Sequence, residues 1–181
     1  MRMPVFRAGL LVALVAAMTP ATGALADSTE TAAPAVILRS TGPVTGLPLP
    51  RFVSLKTSEG NARRGPGLDH RIDWVFTRPG MPLRITAEYE HWRRVEDAEG
   101  AGGWVHYSLL SGNRTVLVIE DLAAIHARPD PRSDVVARAE IGVVAAILEC
   151  LPDWCRISRE GQRGWMAKTS IWGVGADETI D

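Results

Sequence analysis

Residues 92–105 read WRRVEDAEGAGGWV and residues 154–166 read WCRISREGQRGWM. Each stretch opens on a tryptophan followed within three residues by arginine and an apolar residue. Each then passes through glycine and acidic residues and closes on Gly-Trp plus an apolar residue. The likeness extends outward. Gly80 precedes an apolar run in the first copy, as Gly142 does in the second. Ala62-Arg63-Arg64-Gly65-Pro66 precedes a strand pattern, as does Ile125-His126-Ala127-Arg128-Pro129. The offset between the copies drifts only from 63 to 62 to 61 residues along the chain. Self-similarity at a nearly fixed period is the mark of a repeated structural unit.

Each copy reads as short strands separated by turns. In the first, Phe52–Lys56, Trp74–Thr77, Met81–Tyr89, Trp92–Glu96 and Gly103–His106 are strand-like. Thr115–Ile119 either closes the first unit or opens the second. Leu122–His126, Val135–Ala139, Val143–Cys150, Trp154–Ser158 and Gly164–Ala167 make up the second set. Leu83, Ile85, Ala87 and Tyr89 alternate with Arg84, Thr86 and Glu88, as a strand with one wet face requires. Ser108–Leu110 and Thr169–Ile171 each suit a single helical turn. The expected fold is all-β, two small barrels in tandem at 51–114 and 115–175, with 176–181 as a tail. A small closed barrel protects its own sheet edges.

The repeat resembles the bacterial SH3-like (SH3b) domains. The residues that carry the likeness are Asn61-Ala62-Arg63-Arg64-Gly65-Pro66-Gly67, Gly80-Met81-Pro82-Leu83, Trp92-Arg93-Arg94-Val95 and Gly103-Trp104-Val105. The run from Phe52 through Trp74-Val75, Trp104-Val105-His106 and Leu109-Leu110-Ser111-Gly112 is similar to an exported subfamily with two copies. In the second copy His126-Ala127-Arg128-Pro129-Asp130 replaces the glycine-rich turn. The resemblance implies a small β-barrel used for targeting or binding, which in some relatives is attached to cell-wall enzymes and helps hold peptidoglycan.

The chain has 181 residues, 46 % of them hydrophobic, and a formal net charge of −1. That balance argues against a nucleic-acid binder, which carries a basic excess. The N-terminus has a positive start at Arg2 and Arg7, an apolar run from Ala8 to Met18, and small residues at Ala24 and Ala26. This is the pattern of a signal peptide, 1–26, too short to span a bilayer. Residues 27–50, with prolines at 34, 43, 48 and 50, read as a flexible leader. The expected location is periplasmic or secreted, without stable membrane insertion. Cys150 and Cys155 flank a Pro152-Asp153 turn, and in an oxidising compartment they are expected to form a disulfide across a hairpin. At the 62-residue offset their first-copy counterparts are Glu88 and Arg93, an ion pair expected to be exposed.

Chemistry-bearing constellations are sparse. His70, His91, His106 and His126 have no metal-ligand spacing, and the serines lack a nucleophile elbow. Neither a metal nor a cofactor is expected, nor a catalytic residue. Acidic pairs such as Glu88/Glu90 and Glu96/Asp97 read as solvated edge charge. Trp104 and Trp165 are expected to pack, whereas Trp92 and Trp154, just after turns, are expected to be partly exposed. Trp74 has no tryptophan counterpart: an offset of 62 lands on Val136. The candidate ligand-binding residues are therefore Arg64, Asp69, His70, Trp74, Trp92 and Tyr107, an aromatic platform bordered by a polar loop. The expected partner is a peptide, a glycopeptide or an envelope protein, with the first barrel dominating. The rival readings are an envelope hydrolase and a structural subunit, the latter marked by an apolar patch around Trp74 or Trp172.

Overall fold

Strands dominate residues 40–181, the part of the chain that the computed structural model describes. The expected signal peptide, 1–26, and residues 27–39 of the expected leader lie outside the described residues. A hairpin comes first, β1 (Ser40–Thr41) with β2 (Pro48–Leu49). The first barrel follows: β3 (Arg51–Leu55), β4 (Gly60–Arg63), β5 (Ile72–Phe76), β6 (Pro82–Tyr89), β7 (Trp92–Glu96), β8 (Gly102–His106) and β9 (Leu110–Ser111). Its antiparallel strand order is β5-β4-β8-β7-β6-β3-β9.

The second barrel repeats that topology. Its strands are β10 (Thr115–Val118), β11 (Ala123–His126), β12 (Val135–Ala139), β13 (Val144–Cys150), β14 (Trp154–Arg159), β15 (Gln162–Ala167) and β16 (Ile171–Trp172), in the order β12-β11-β15-β14-β13-β10-β16. Thr115–Val118 thus opens the second unit. The two helical turns are 3-10 turns at Tyr107–Leu109 and Lys168–Ser170, one residue earlier than the sequence suggests. Glu160 and Gly161, both at positive φ, make the two-residue turn between β14 and β15 that a tight antiparallel pair needs.

Each sheet coils around its own core. Leu55, Phe76, Leu83, Ile85, Val95 and Val105 fill the first. Val116, Val118, Ile157, Met166 and Ile171 fill the second, with the disulfide among them. Burial of each large side chain contributes roughly 1.5–3 kcal/mol. The barrels meet through Phe52 and Trp172, edge to face at 5.1 Å. The equivalent turns before β6 and β13 both join this contact. The Thr115 hydroxyl donates to the Gly80 carbonyl at 2.6 Å, and Arg78 Nη1 donates to the Gly142 carbonyl at 2.6 Å.

Cys150 and Cys155 form the expected disulfide and are register partners across the β13–β14 hairpin. Glu88 and Arg93 are register partners at the matching place in β6 and β7. They are not the exposed pair, nor Glu88 the solvated edge charge, that the sequence suggests. The Glu88 side chain is fully buried, 3.5 Å from Arg93 Nε and 2.6 Å from Arg51 Nη2. What buries it is the segment read as leader. The β1–β2 hairpin sits on the carboxylate, donating from the Val44 and Thr45 amides at 3.1 and 2.9 Å and from the Thr45 hydroxyl at 2.7 Å. A side chain at Gly42 would collide with that carboxylate. Ordered structure therefore extends through 40–50, ahead of Arg51, because a buried charge needs these donors. Residues 176–181 dock similarly on the second barrel. Cys150 and Ile180 exchange two backbone hydrogen bonds at 2.7 and 3.0 Å, and Glu178 accepts from both Arg114 Nη atoms at 2.5 and 3.0 Å.

Candidate functional site

The Gly65-Pro66-Gly67 turn links β4 to β5, and Arg63 pins it from within. Its Nη1 donates to the carbonyls of Leu68 at 3.0 Å and His70 at 2.7 Å. Beyond the turn, Arg64 Nε and Arg71 Nε grip the two oxygens of Asp73 at 3.0 and 2.7 Å. The hydrogen bond from Arg64, then that from Arg71, holds this carboxyl below its ordinary range. Asp69 and His70 are exposed on the same loop. β5 is the end strand and pairs with β4 alone. Trp74 is in register with the buried Ala62, so it faces the core side. It stands on the end strand, however, with no further strand beside it, and is 46 % exposed. Leu68, Ile72 and Val75 are exposed beside it in the sequence. The result is an apolar strand edge bordered by Arg64, Arg71 and Asp73.

The six candidate residues do not form one site. Arg64, Asp69, His70 and Trp74 share the β4–β5 hairpin. Trp92 and Tyr107 lie at the β6–β7 turn and the 3-10 turn after β8. Trp92 is 8 % exposed rather than open, because the His106 ring closes edge-on over it at 5.6 Å. Tyr107 is half-exposed, its ring 4.9 Å from His106, 5.8 Å from His91 and 6.0 Å from the Arg93 guanidinium. This second cluster includes His91 and His106, of which the sequence shows only that they lack metal-ligand spacing. No short-range pattern joins them, since they come from different strand ends. Trp104 and Trp165 also depart from expectation. Both stand half-buried on the outer face, opposite in alternation to the buried Val105 and Met166, with arginines 94 and 156 in register beside them.

The candidate residues thus present an apolar strand edge and a separate aromatic cluster. Both cysteines are held in the disulfide. Among the described residues no group of three His, Cys, Asp or Glu could hold a metal ion. His106 Nδ1 lies 2.8 Å from Ser108 Oγ and also accepts from the Ser108 amide at 3.4 Å, which makes it the cap of the 3-10 turn. Asp97 belongs to the β7–β8 loop, where its Oδ1 accepts from the amides of Glu99 and Ala101 at 3.1 and 2.8 Å. Burial raises its pKa despite those bonds. It too is buried, not a solvated edge charge.

A feature that sequence reasoning missed lies in the second barrel. A cavity of about 320 Å³ opens between β12, β13 and the β14–β15 hairpin. The signal lay in the alignment of the copies, where the 63-residue offset of Ala62 and Ile125 holds through the following strand. That alignment puts Ala137, not Val136, opposite Ile125 where the first copy has Trp74 opposite Ala62.

The family described as bacterial SH3 domain matches the chain twice, over residues 56–112 and 120–173. A curated relative, a putative N-acetylmuramoyl-L-alanine amidase of Bacillus subtilis (strain 168), is 22 % identical over 138 residues. The match covers 70 % of this chain, which spans about a quarter (26 %) of the relative's length. Two solved structures from Trichomonas vaginalis, described as NlpC2 and NlpC1, align with a TM-score of 0.32 each at 15 % and 16 % identity. They cover 68 % and 75 % of this chain, and it covers 48 % and 49 % of them.

Proposed function

The chain belongs to the bacterial SH3 domain family, and on that footing we propose that it is a non-enzymatic binding or scaffolding module of the bacterial envelope, exported to the periplasm or beyond. Its ligand is an extended, peptide-bearing one, either the peptide of peptidoglycan or a segment of an envelope protein. The observation that carries this reading is the exposed apolar strand β5 with Trp74 on it. An end strand presents unpaired backbone groups along its free side, and peptides bind such edges by adding a strand. The indole then supplies apolar contact, and the Arg64, Arg71 and Asp73 cluster supplies polar selectivity. A disulfide fits an oxidising compartment, and among the described residues no helix is long and apolar enough to cross a membrane. The similarity to an amidase supports a place near peptidoglycan for this chain.

The non-enzymatic part of the proposal is supported by the occupied cysteines and by the capping role of His106 and Ser108. The apolar surroundings of Trp74 equally suit an accessory subunit whose first barrel packs on a partner chain. Co-sedimentation of the protein with purified peptidoglycan, beside capture from envelope extract, separates the two. Binding to peptidoglycan that is lost in a folded Trp74→Ala variant supports the peptidoglycan ligand. Capture of one protein, lost in the same variant, supports the scaffold.

A further inference from the structure

We propose that the second barrel binds a free apolar amino acid, side chain inward, in the cavity between β12, β13 and the β14–β15 hairpin. The cavity arises from two replacements between the copies. Gly60 pairs with Phe76 in the first barrel, and its equivalent Ala123 pairs with Ala139 in the second. Val53 pairs with Leu83, and its equivalent Val116 pairs with Ala145. Two large buried side chains of the first core, Phe76 and Leu83, are thus alanines in the second. The second core gains bulk at Ile125, Ile157 and Met166, the equivalents of Ala62, Val95 and Val105. These gains do not refill the gap: Ile125, Ala139, Val143, Ala145 and Ile157 still line a space of about 320 Å³. Unfilled core volume costs stability, so a packed sister copy in the same chain marks the gap as a feature needing a reason.

The size and the mouth of the cavity identify the occupant. Its volume lies at the low end for small-molecule sites, which suits one amino acid. The mouth carries both signs of charge. Of its arginines, Arg138 is spent on the Leu122 carbonyl, and Arg159 on the Val144 carbonyl and Glu160. Arg163 and Glu140 remain at the rim with no side-chain hydrogen bond or ion pair among the described residues. A zwitterion with an apolar body satisfies all three elements: carboxylate toward Arg163, ammonium toward Glu140, side chain on the alanine floor. The site is independent of the β5 edge of the first barrel.

Three probes with one phenyl body test this: phenylalanine, 3-phenylpropionate and phenethylamine, titrated into the disulfide-bonded protein by calorimetry and amide NMR. Phenylalanine is expected to bind saturably and at least about tenfold more tightly than either singly charged probe, because each lacks one charge-assisted contact. Shifts are expected at Ala139, Ala145 and Gly164. Ala139→Phe and Ala145→Leu, which restore the first barrel's residues, are expected to abolish binding while a melt shows them folded. Should one of these not fold, the other carries the test. Arg163→Gln is expected to reduce phenylalanine to the level of phenethylamine, and Glu140→Gln to the level of 3-phenylpropionate. No saturable binding of phenylalanine, binding unchanged in the filled variants, or equal binding of a singly charged probe would each overturn the proposal.

Discussion

Replacing Glu88 by glutamine should cut the first barrel loose from its N-terminal hairpin. Burial alone would raise this carboxyl's pKa. The Thr45 hydroxyl and amide, Arg51 and the Val44 amide outweigh burial and hold it at about 2, against an ordinary 4.5. The side chain has no solvent exposure, so water does not screen these contacts. Linkage converts that difference to about 3 kcal/mol of folding stability. The sign follows from the depressed folded pKa. The contribution is whole above pH 4.5 and fades as pH falls through about 2, below which folded and unfolded chains are both protonated. Glu88→Gln mimics the protonated state at every pH. Urea unfolding followed by tryptophan fluorescence should therefore show a loss of about 3 kcal/mol at pH 7 and almost none near pH 2. Amide exchange at Val44 and Thr45 should accelerate in the variant. A loss below about 0.5 kcal/mol at pH 7, or a pH dependence parallel to that of the unaltered protein, would refute the reasoning.

Reduction of the Cys150–Cys155 disulfide should destabilise the second barrel by about 2 kcal/mol, the chain-entropy value for so short a loop, in melts with and without reductant. Alkylation and mass spectrometry of the untreated protein should find no free thiol. Phe76→Ala should cost about 3–5 kcal/mol, whereas Trp74→Ala, on a half-exposed residue, should stay within about 1 kcal/mol; paired thermal melts check both. Trp172→Ala removes the edge-to-face contact with Phe52, worth about 0.5–1.5 kcal/mol beyond burial, and should increase proteolysis near the 112–114 junction.

Much of the fold is legible where a strand is long and half-buried. Pro82–Tyr89 and Trp92–Glu96 show their alternation directly, and the Pro152-Asp153 turn puts the two cysteines face to face. The β1–β2 hairpin is not legible, because two-residue strands in a Thr-, Pro- and Gly-rich stretch carry no period. Its anchor is a carboxylate more than 40 residues away. Gly60–Arg63 hides for a similar reason, with Ala62 its one core-facing apolar side chain. Local sequence treats Glu88 and Asp97 as surface charges, and tertiary docking and loop closure bury them. Trp92 inverts for the same reason, since the His106 ring covers a tryptophan that its place beside a turn would leave open. The 63-residue offset that relates Ala62 to Ile125 still holds at Trp74 and falls to 62 only between Phe76 and Gly80, so an offset of 62 hides the equivalence of Trp74 and Ala137.

In the proposed function, β5 of the first barrel is the docking edge. The most direct measurement is an amide NMR titration of the disulfide-bonded protein with soluble peptidoglycan fragments, run in parallel on a folded Trp74→Ala variant. The account predicts shift changes concentrated on Arg64 to Phe76 and the Trp74 indole, with affinity reduced about tenfold or more in the variant. Changes centred on the Tyr107 and His91 cluster or on the second barrel, with affinity unaltered by Trp74→Ala, would contradict it.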